Sequence, residues 1–340
     1  MSKEIIETDI AIIGAGPVGL FAVFEAGLLK MRCHLIDALP QVGGQLSEIY
    51  PRKPIYDIPG YPSIDAQDLV DELMKQIAPF QPSFTLGERV ETLEKQEDGS
   101  YHVIGHEGTT IHAPVVVIAG GLGSFEPRRP DIEGILEYEG KGGVHYFVKN
   151  PDIYKDQKVI IAGGGDSALD WTIYLSEVAS SLTLVHRSDS FRGAPDSAEK
   201  VFNLAEQGKI NLVLQSNLSS IHGQDGKLTQ VGVKDKGKNE TILDADYVIP
   251  LFGLSPKLGP IGEWGLNIDK GAVAVDTFDY STNVERIYAI GDINTYPGKL
   301  KLILCGFHEA ALMCQSAFKY VYPDQKLSFK YTTVNGIHSF

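Results

Sequence analysis

Ile10-Ala11-Ile12-Ile13-Gly14-Ala15-Gly16-Pro17-Val18-Gly19 sets an apolar β-rich run, a glycine turn and the start of a helical pattern in immediate succession. The strand pattern that follows, residues 32–36, ends at Asp37, 23 residues after Gly14. A second copy reads Val159-Ile160-Ile161-Ala162-Gly163-Gly164-Gly165-Asp166-Ser167-Ala168, and the strand pattern after it, residues 181–186, ends at Arg187, 24 residues after Gly163. A strand, a tight turn and a helix N-terminus together make a cradle of backbone N–H groups suited to a pyrophosphate. A carboxylate at the next strand end suits a ribose with free hydroxyls, whereas a guanidinium suits a ribose bearing a phosphate. One glycine motif alone is a weak signal; here each copy has the expected context and nearly the same offset to its charge. The chain reads as built to hold two different dinucleotides.

Outward from these turns, residues 7–36 read as β-α-β with 18–29 as the helix, and 67–77 as an amphipathic helix. Residues 83–93, 101–106 and 109–112 alternate like strands of a small antiparallel layer, with Asp98-Gly99 as a hairpin turn. Residues 115–119 are apolar throughout and end in Gly120-Gly121, as a buried parallel strand does when it stops near a ligand. A second β-α-β spans 158–187, and strand patterns follow at 210–215, 230–235, 240–243 and 247–250. Residues 287–292 are a further buried strand ending in Gly-Asp, and 302–320 a long helix. The expected fold is α/β, with two Rossmann-like three-layer dinucleotide-binding domains, the second inserted into the first. Residues 1–118 plus 286–340 form one and residues 119–285 the other.

A chain of 340 residues can build two such cores. Its net charge of −14 argues against a nucleic-acid partner, and an acidic protein partner would need a local basic patch. The apolar runs are too short to cross a bilayer, and residues 1–6 lack the layout of a signal peptide. No membrane association and a cytoplasmic location are expected. Cys33, Cys305 and Cys314 make no C-x-x-C and no metal-ligand spacing, so they read as structural thiols and no metal is expected.

Further stretches add to the paired turns: Val42-Gly43-Gly44-Gln45 with Tyr50-Pro51, Ile290-Gly291-Asp292 followed by Tyr296-Pro297-Gly298-Lys299-Leu300, and Tyr331-Thr332-Thr333. With them the chain resembles the two-dinucleotide-binding flavoprotein superfamily over nearly its full length, and within it the thioredoxin-reductase-like ferredoxin–NADP⁺ reductases. Thioredoxin reductases place a C-x-x-C just before their second glycine turn. This chain has Val144-His145-Tyr146-Phe147-Val148-Lys149 there, so composition excludes an internal dithiol. The resemblance implies an FAD site in which Gly14, Gly16 and Gly19 hold the pyrophosphate and Asp37 the adenosine ribose. Gln45 and Tyr50 would lie along the isoalloxazine, the Val90 backbone at the adenine, Phe125 near the ring and Asp292 at the ribityl chain. The helix beginning near Leu300 would aim its N-terminus at the ring. Tyr331 would stack opposite Tyr50 with Thr333 near N5, in a segment donated by the other subunit of a homodimer. NADP(H) would rest on Gly163, Gly165 and Ala168, with Arg187 beside His186, and Arg192, at the 2′-phosphate. Ser188 stands where thioredoxin reductases commonly carry a second arginine.

The activity implied is that of an FAD-dependent ferredoxin–NADP⁺ reductase: hydride transfer between NADPH and flavin N5, and single-electron steps to ferredoxin or flavodoxin. No catalytic side chain is needed, and His145, His186 and His308 read as packing or capping residues. Arg52-Lys53, Arg128-Arg129, Lys299 and Lys301 are the candidate docking cations. The alternative enzyme is an NADPH-dependent reductase of a quinone or of a separate disulfide partner. A flavin monooxygenase lacks its fingerprint here, and a redox sensor would bind NADPH without passing electrons on.

Overall fold

The computed structural model describes residues 5–327 and 336–337, apart from the side chains of 124–126 and 254–257. It divides into two compact units, Met1–Phe125 with Pro256–Phe340, and Glu126–Ser255.

The discontinuous unit is built on a five-stranded sheet in the order Ile287–Ala289, Val115–Ile118, Ile10–Ile13, Cys33–Asp37, Ser83–Leu86, with every neighbouring pair parallel. Strands Ile10–Ile13 and Val115–Ile118 are buried at every residue. Such unbroken apolar runs are what a strand covered on both faces requires. The side-chain period of two then sorts them into two cores. Ile10, Ile12, Val115 and Val117 pack with helices Pro17–Leu28, Ala66–Ile77 and Ile303–Val321. Ala11, Ile13, Val116 and Ile118 pack with Val90, Tyr101, Val103 and Ile111 of a second, four-stranded layer. That layer has the order Ile6–Glu7, Thr110–Ala113, Tyr101–Gly105, Val90–Lys95.

The continuous unit repeats the plan on a smaller scale. Its parallel sheet has the order Asn211–Val213, Ser181–Val185, Lys158–Ala162, Tyr247–Pro250, with helices Asp166–Leu175 and Pro195–Glu206. Its antiparallel layer is Ser216–Gln224, Lys227–Asp235 and Glu240–Asp244. Val231 and Val233 of that layer share a core with Ile160, Ala162, Val185 and Val248.

Three elements differ from the sequence reading. Residues 83–93 are two strands in two sheets: Ser83–Leu86 closes the parallel sheet against Cys33–Asp37, and Val90–Lys95 begins the antiparallel layer after a turn at Gly87 with φ +78°. Strand Ser216–Gln224 was not anticipated, nor was helix Pro195–Glu206, which buries only Val201. No helix among the described residues is long and apolar enough to cross a membrane.

Helix Pro17–Leu28 lies close on Phe80, because a Cβ added at Gly27 would stand 2.2 Å from the Phe80 Cγ. Gly27→Ala must displace that buried ring and is expected to cost about 1–3 kcal/mol. A lowered urea midpoint with an unchanged slope would show it; an unchanged midpoint would refute the packing argument.

Candidate dinucleotide-binding sites

In the discontinuous unit the first glycine turn leaves its strand between two neighbours. Gly14 N–H donates to Ile36 O at 2.9 Å, and Ala119 N–H donates to Ile13 O at 2.8 Å. Gly14 has φ +112°, and a Cβ on it would stand 2.4 Å from Ala119 O; one on Gly19 would stand 2.2 Å from Gly14 O. The chain's own packing therefore demands both glycines. Gly16 is different. Its backbone is extended (φ −72°, ψ 178°) and an added Cβ would meet nothing within 4 Å. It caps helix Pro17–Leu28, which has Pro17 in its first turn and no capping side chain. Among the described residues nothing claims that space, which leaves a backbone cradle open for a ligand phosphate.

The remaining predicted residues of this unit gather around that turn or flank it. Asp37 Oδ2 accepts Ala15 N–H at 2.6 Å and Oδ1 accepts Leu39 N–H at 2.8 Å. Burial raises the pKa of this carboxyl, while the two backbone donors pull it back down. Gly43 N–H donates to Ala15 O at 2.8 Å and seats the 42–45 loop on the turn. The Gln45 amide nitrogen lies 3.5 Å from where a Gly121 Cβ would be. Tyr50 is half-buried, and burial followed by the negative charge of Asp292 pushes its phenol up to about 12. Asp292 follows Gly291, whose φ of +79° is one that glycine adopts without strain. Burial raises the Asp292 carboxyl, and Lys301 and Lys299 oppose the rise. Val90 starts the edge strand of the antiparallel layer opposite Gly105. Because Arg89 O accepts His106 N–H at 2.9 Å, the alternation of the ladder turns Val90's own N–H and C=O outward. Phe125 belongs to strand Ser124–Pro127, but its side chain lies outside the described part, as do Tyr331 and Thr333.

The second turn, in the continuous unit, has the same construction. Gly163 N–H donates to Val185 O at 3.0 Å and Leu251 N–H to Ala162 O at 2.7 Å. A Cβ on Gly163 would stand 2.7 Å from Leu251 O and 2.9 Å from the Cβ of fully buried Ala168. Gly164 is covered by the His186 ring, 2.1 Å from an added Cβ. Gly165 caps helix Asp166–Leu175 in extended conformation, and the one atom near its missing Cβ is Arg192 Nη2, at 3.2 Å. The loop carrying Arg192 is strapped over the turn: Arg192 and Gly193 N–H both donate to Gly164 O, at 2.8 and 3.1 Å, and Ala194 N–H donates to Asp166 Oδ1 at 2.7 Å. Arg187 and Arg192 are exposed, and their guanidinium groups have no hydrogen-bonding or ion-pairing partner among the described residues.

Other candidates are placed differently. Lys299, read as a docking cation, has a buried side chain: it is 6 % exposed and its ammonium sits 2.5 Å from a carboxylate oxygen of fully buried Glu309. Arg129 is held by Glu139 at 2.8 Å, while Lys301 and Arg128 are exposed. His145 has both ring nitrogens engaged, by Tyr154 OH and Gly140 O at 2.8 Å each. His112 links Glu7 to Ser100 at 2.7 Å on each side, but Ser100 is buried and donates its own proton to Asp98, so no nucleophile results. Glu309 had no signal in the sequence, being one acidic residue on a helix. The described residues contain no group of three or more that could hold a metal.

The chain belongs to the pyridine nucleotide-disulphide oxidoreductase family, whose model matches residues 8–310. Within it the chain groups with the ferredoxin–NADP reductases. A protein called ferredoxin–NADP reductase 1, from Christiangramia forsetii, is 63% identical over 338 residues, 98% of this chain and 95% of its own. A ferredoxin–NADP reductase from Bradyrhizobium diazoefficiens is 52% identical over 331 residues, 97% of this chain and 96% of its own. The crystal structure of Lactococcus lactis thioredoxin reductase matches with a TM-score of 0.80 at 25% identity, covering 93% of this chain and 99% of that one.

Gly16→Ala tests the open cradle. The apoprotein variant is expected to keep its stability within about 1 kcal/mol, since its backbone conformation accepts alanine. Dinucleotide released by denaturing the purified protein is expected to fall away. Retention equal to wild type would show that nothing presses on Gly16.

Proposed function

We propose that this chain is an FAD enzyme passing electrons between NADPH and ferredoxin or flavodoxin, with FAD in the discontinuous unit and NADP(H) in the continuous one. One observation carries the reading: a single chain holds two glycine turns, one whose Gly16 faces open space and one whose Gly165 meets only the Arg192 guanidinium, beside strand ends of opposite charge. The names of the relatives point to ferredoxin as the acceptor.

When bound, FAD takes a hydride from the nicotinamide and gives up its electrons singly to the carrier. The protein's part is to hold and orient. Gly14, Gly16 and Gly19 frame the pyrophosphate, and the unused lone pairs of Asp37 accept from the adenosine ribose. The outward backbone of Val90 meets the adenine, Gln45 and Tyr50 flank the isoalloxazine, and Asp292 accepts from the ribityl chain. The uncapped N-terminus of helix Ile303–Val321 favours negative charge on the ring. Phe125, Tyr331 and Thr333 complete the ring's surroundings, the last two from the second copy of a homodimer. On the NADP(H) side, Gly163, Gly165 and Ala168 form the turn, and Arg187 and Arg192 take the 2′-phosphate. Arg52, Lys53, Arg128 and Lys301 form the docking cations, and the enzyme works in the cytoplasm.

The purified protein is expected to be yellow and to reduce cytochrome c through added ferredoxin with NADPH in preference to NADH. That turnover should fall as salt screens docking charges beyond a Debye length of about 8–10 Å. Arg187→Ala removes charge-assisted hydrogen bonds worth about 1.5–3 kcal/mol, so kcat/KM for NADPH is expected to drop roughly 10- to 100-fold while that for NADH stays level. A colourless protein that refuses added FAD, or cytochrome reduction indifferent to ferredoxin, would overturn the proposal.

A further inference from the structure

Glu309 sits in the second turn of helix Ile303–Val321 with no exposed surface, a costly place for a carboxylate unless donors surround it. Four do. Oε2 accepts Gly291 N–H at 2.7 Å and Asn294 Nδ2 at 2.8 Å. Oε1 accepts Tyr296 OH at 2.9 Å and Lys299 Nζ at 2.5 Å. All four donors come from residues 291–299, the segment that carries Asp292 as its second residue. One carboxylate thus ties this whole loop to the helix. Its cation is equally sequestered, with the Lys299 side chain 6 % exposed and Nζ 5.3 Å from the centre of the Tyr296 ring. The fields of Lys299 and Glu309 both reach Asp292 and act on it in opposite senses.

We propose that Glu309 and Lys299 are a positioning pair for the flavin end of the site: they hold the Asp292 loop in place at zero net charge, so that neither contributes an uncompensated charge to the bound ring. This rests on the FAD reading above. In a low-dielectric interior an unpaired charge is felt strongly by a neighbouring group that gains or loses electrons. Glu309→Gln keeps the shape of the side chain and leaves the ammonium alone, which favours the reduced ring. Lys299→Met leaves the carboxylate alone, which favours the oxidised one. The double variant removes both charges.

The test is to titrate oxidised and reduced FAD into apoprotein and to measure the midpoint potential of each reconstituted variant. Glu309→Gln is expected to tighten reduced relative to oxidised FAD at least tenfold, a positive shift of ~30 mV for a two-electron couple. Lys299→Met is expected to shift the ratio by a similar factor the other way, and the double variant to return within threefold of wild type. Shifts of one sign in both single variants, or no shift, would overturn the pairing, because a merely structural anchor loosens FAD without opposed signs. If a single variant does not fold, the double variant decides: a wild-type ratio supports compensation, and a displaced one overturns it. A wild-type protein that takes up no FAD overturns the site reading itself. One that binds FAD without the opposed shifts overturns the pair alone.

Discussion

A chain can leave a buried parallel strand and enter a helix within three residues only if the first residue of the turn carries no side chain. Gly14 meets this condition between Ile36, to which it donates, and the carbonyl of Ala119; Gly163 meets it between Val185 and the carbonyl of Leu251. The same two constraints, applied in both units, bring a helix N-terminus to the end of each central strand. They also fix where the next strand ends, and so where Asp37 and Arg187 stand. Gly16, with nothing beside it, and Gly165, met only by the end of the Arg192 side chain, differ from these in kind. Neither needs to lack a side chain for the fold's sake, and that is why they speak about a ligand while Gly14 and Gly163 speak about the backbone.

The β-α-β units were legible because their strands are buried on both faces and so read as unbroken apolar runs, a pattern few other elements produce. The antiparallel layers were legible only in part. Residues 83–86 and 90–95 carry similar alternation although they serve different sheets, and only the turn at Gly87 separates them. Strand Ser216–Gln224 is rich in serine and offers only Leu218 and Ile221 to the core. Helix Pro195–Glu206 shows too narrow an apolar face to announce itself. Residues around the turns could be proposed because glycine and charge keep a fixed offset. Lys299 escapes the sequence for the opposite reason: Pro297-Gly298-Lys299 reads as a surface loop, and its counter-ion is ten residues away on a helix. Nothing in a list of residues distinguishes a solvated lysine from a buried one.

The likeness to a thioredoxin reductase extends over nearly the whole chain, yet the thiol chemistry does not come with it. The continuous unit contains no cysteine at all. At the place where the resemblance would put a dithiol, His145 is locked between Tyr154 and Gly140. Cys33 and Cys314 are buried, and burial pushes both thiols up, away from the thiolate. A shared architecture therefore serves different outlets for electrons, and the outlet is decided by what stands at a few positions and not by the layers that carry them.

Asp37 is clamped by the chain's own Ala15 and Leu39 N–H groups. The turn and its acidic neighbour thus form a ready-made receptor, whose ordering entropy was spent when the unit folded. On the proposed reading, the carboxylate meets its ribose in an orientation the fold has set and not one the ligand must impose.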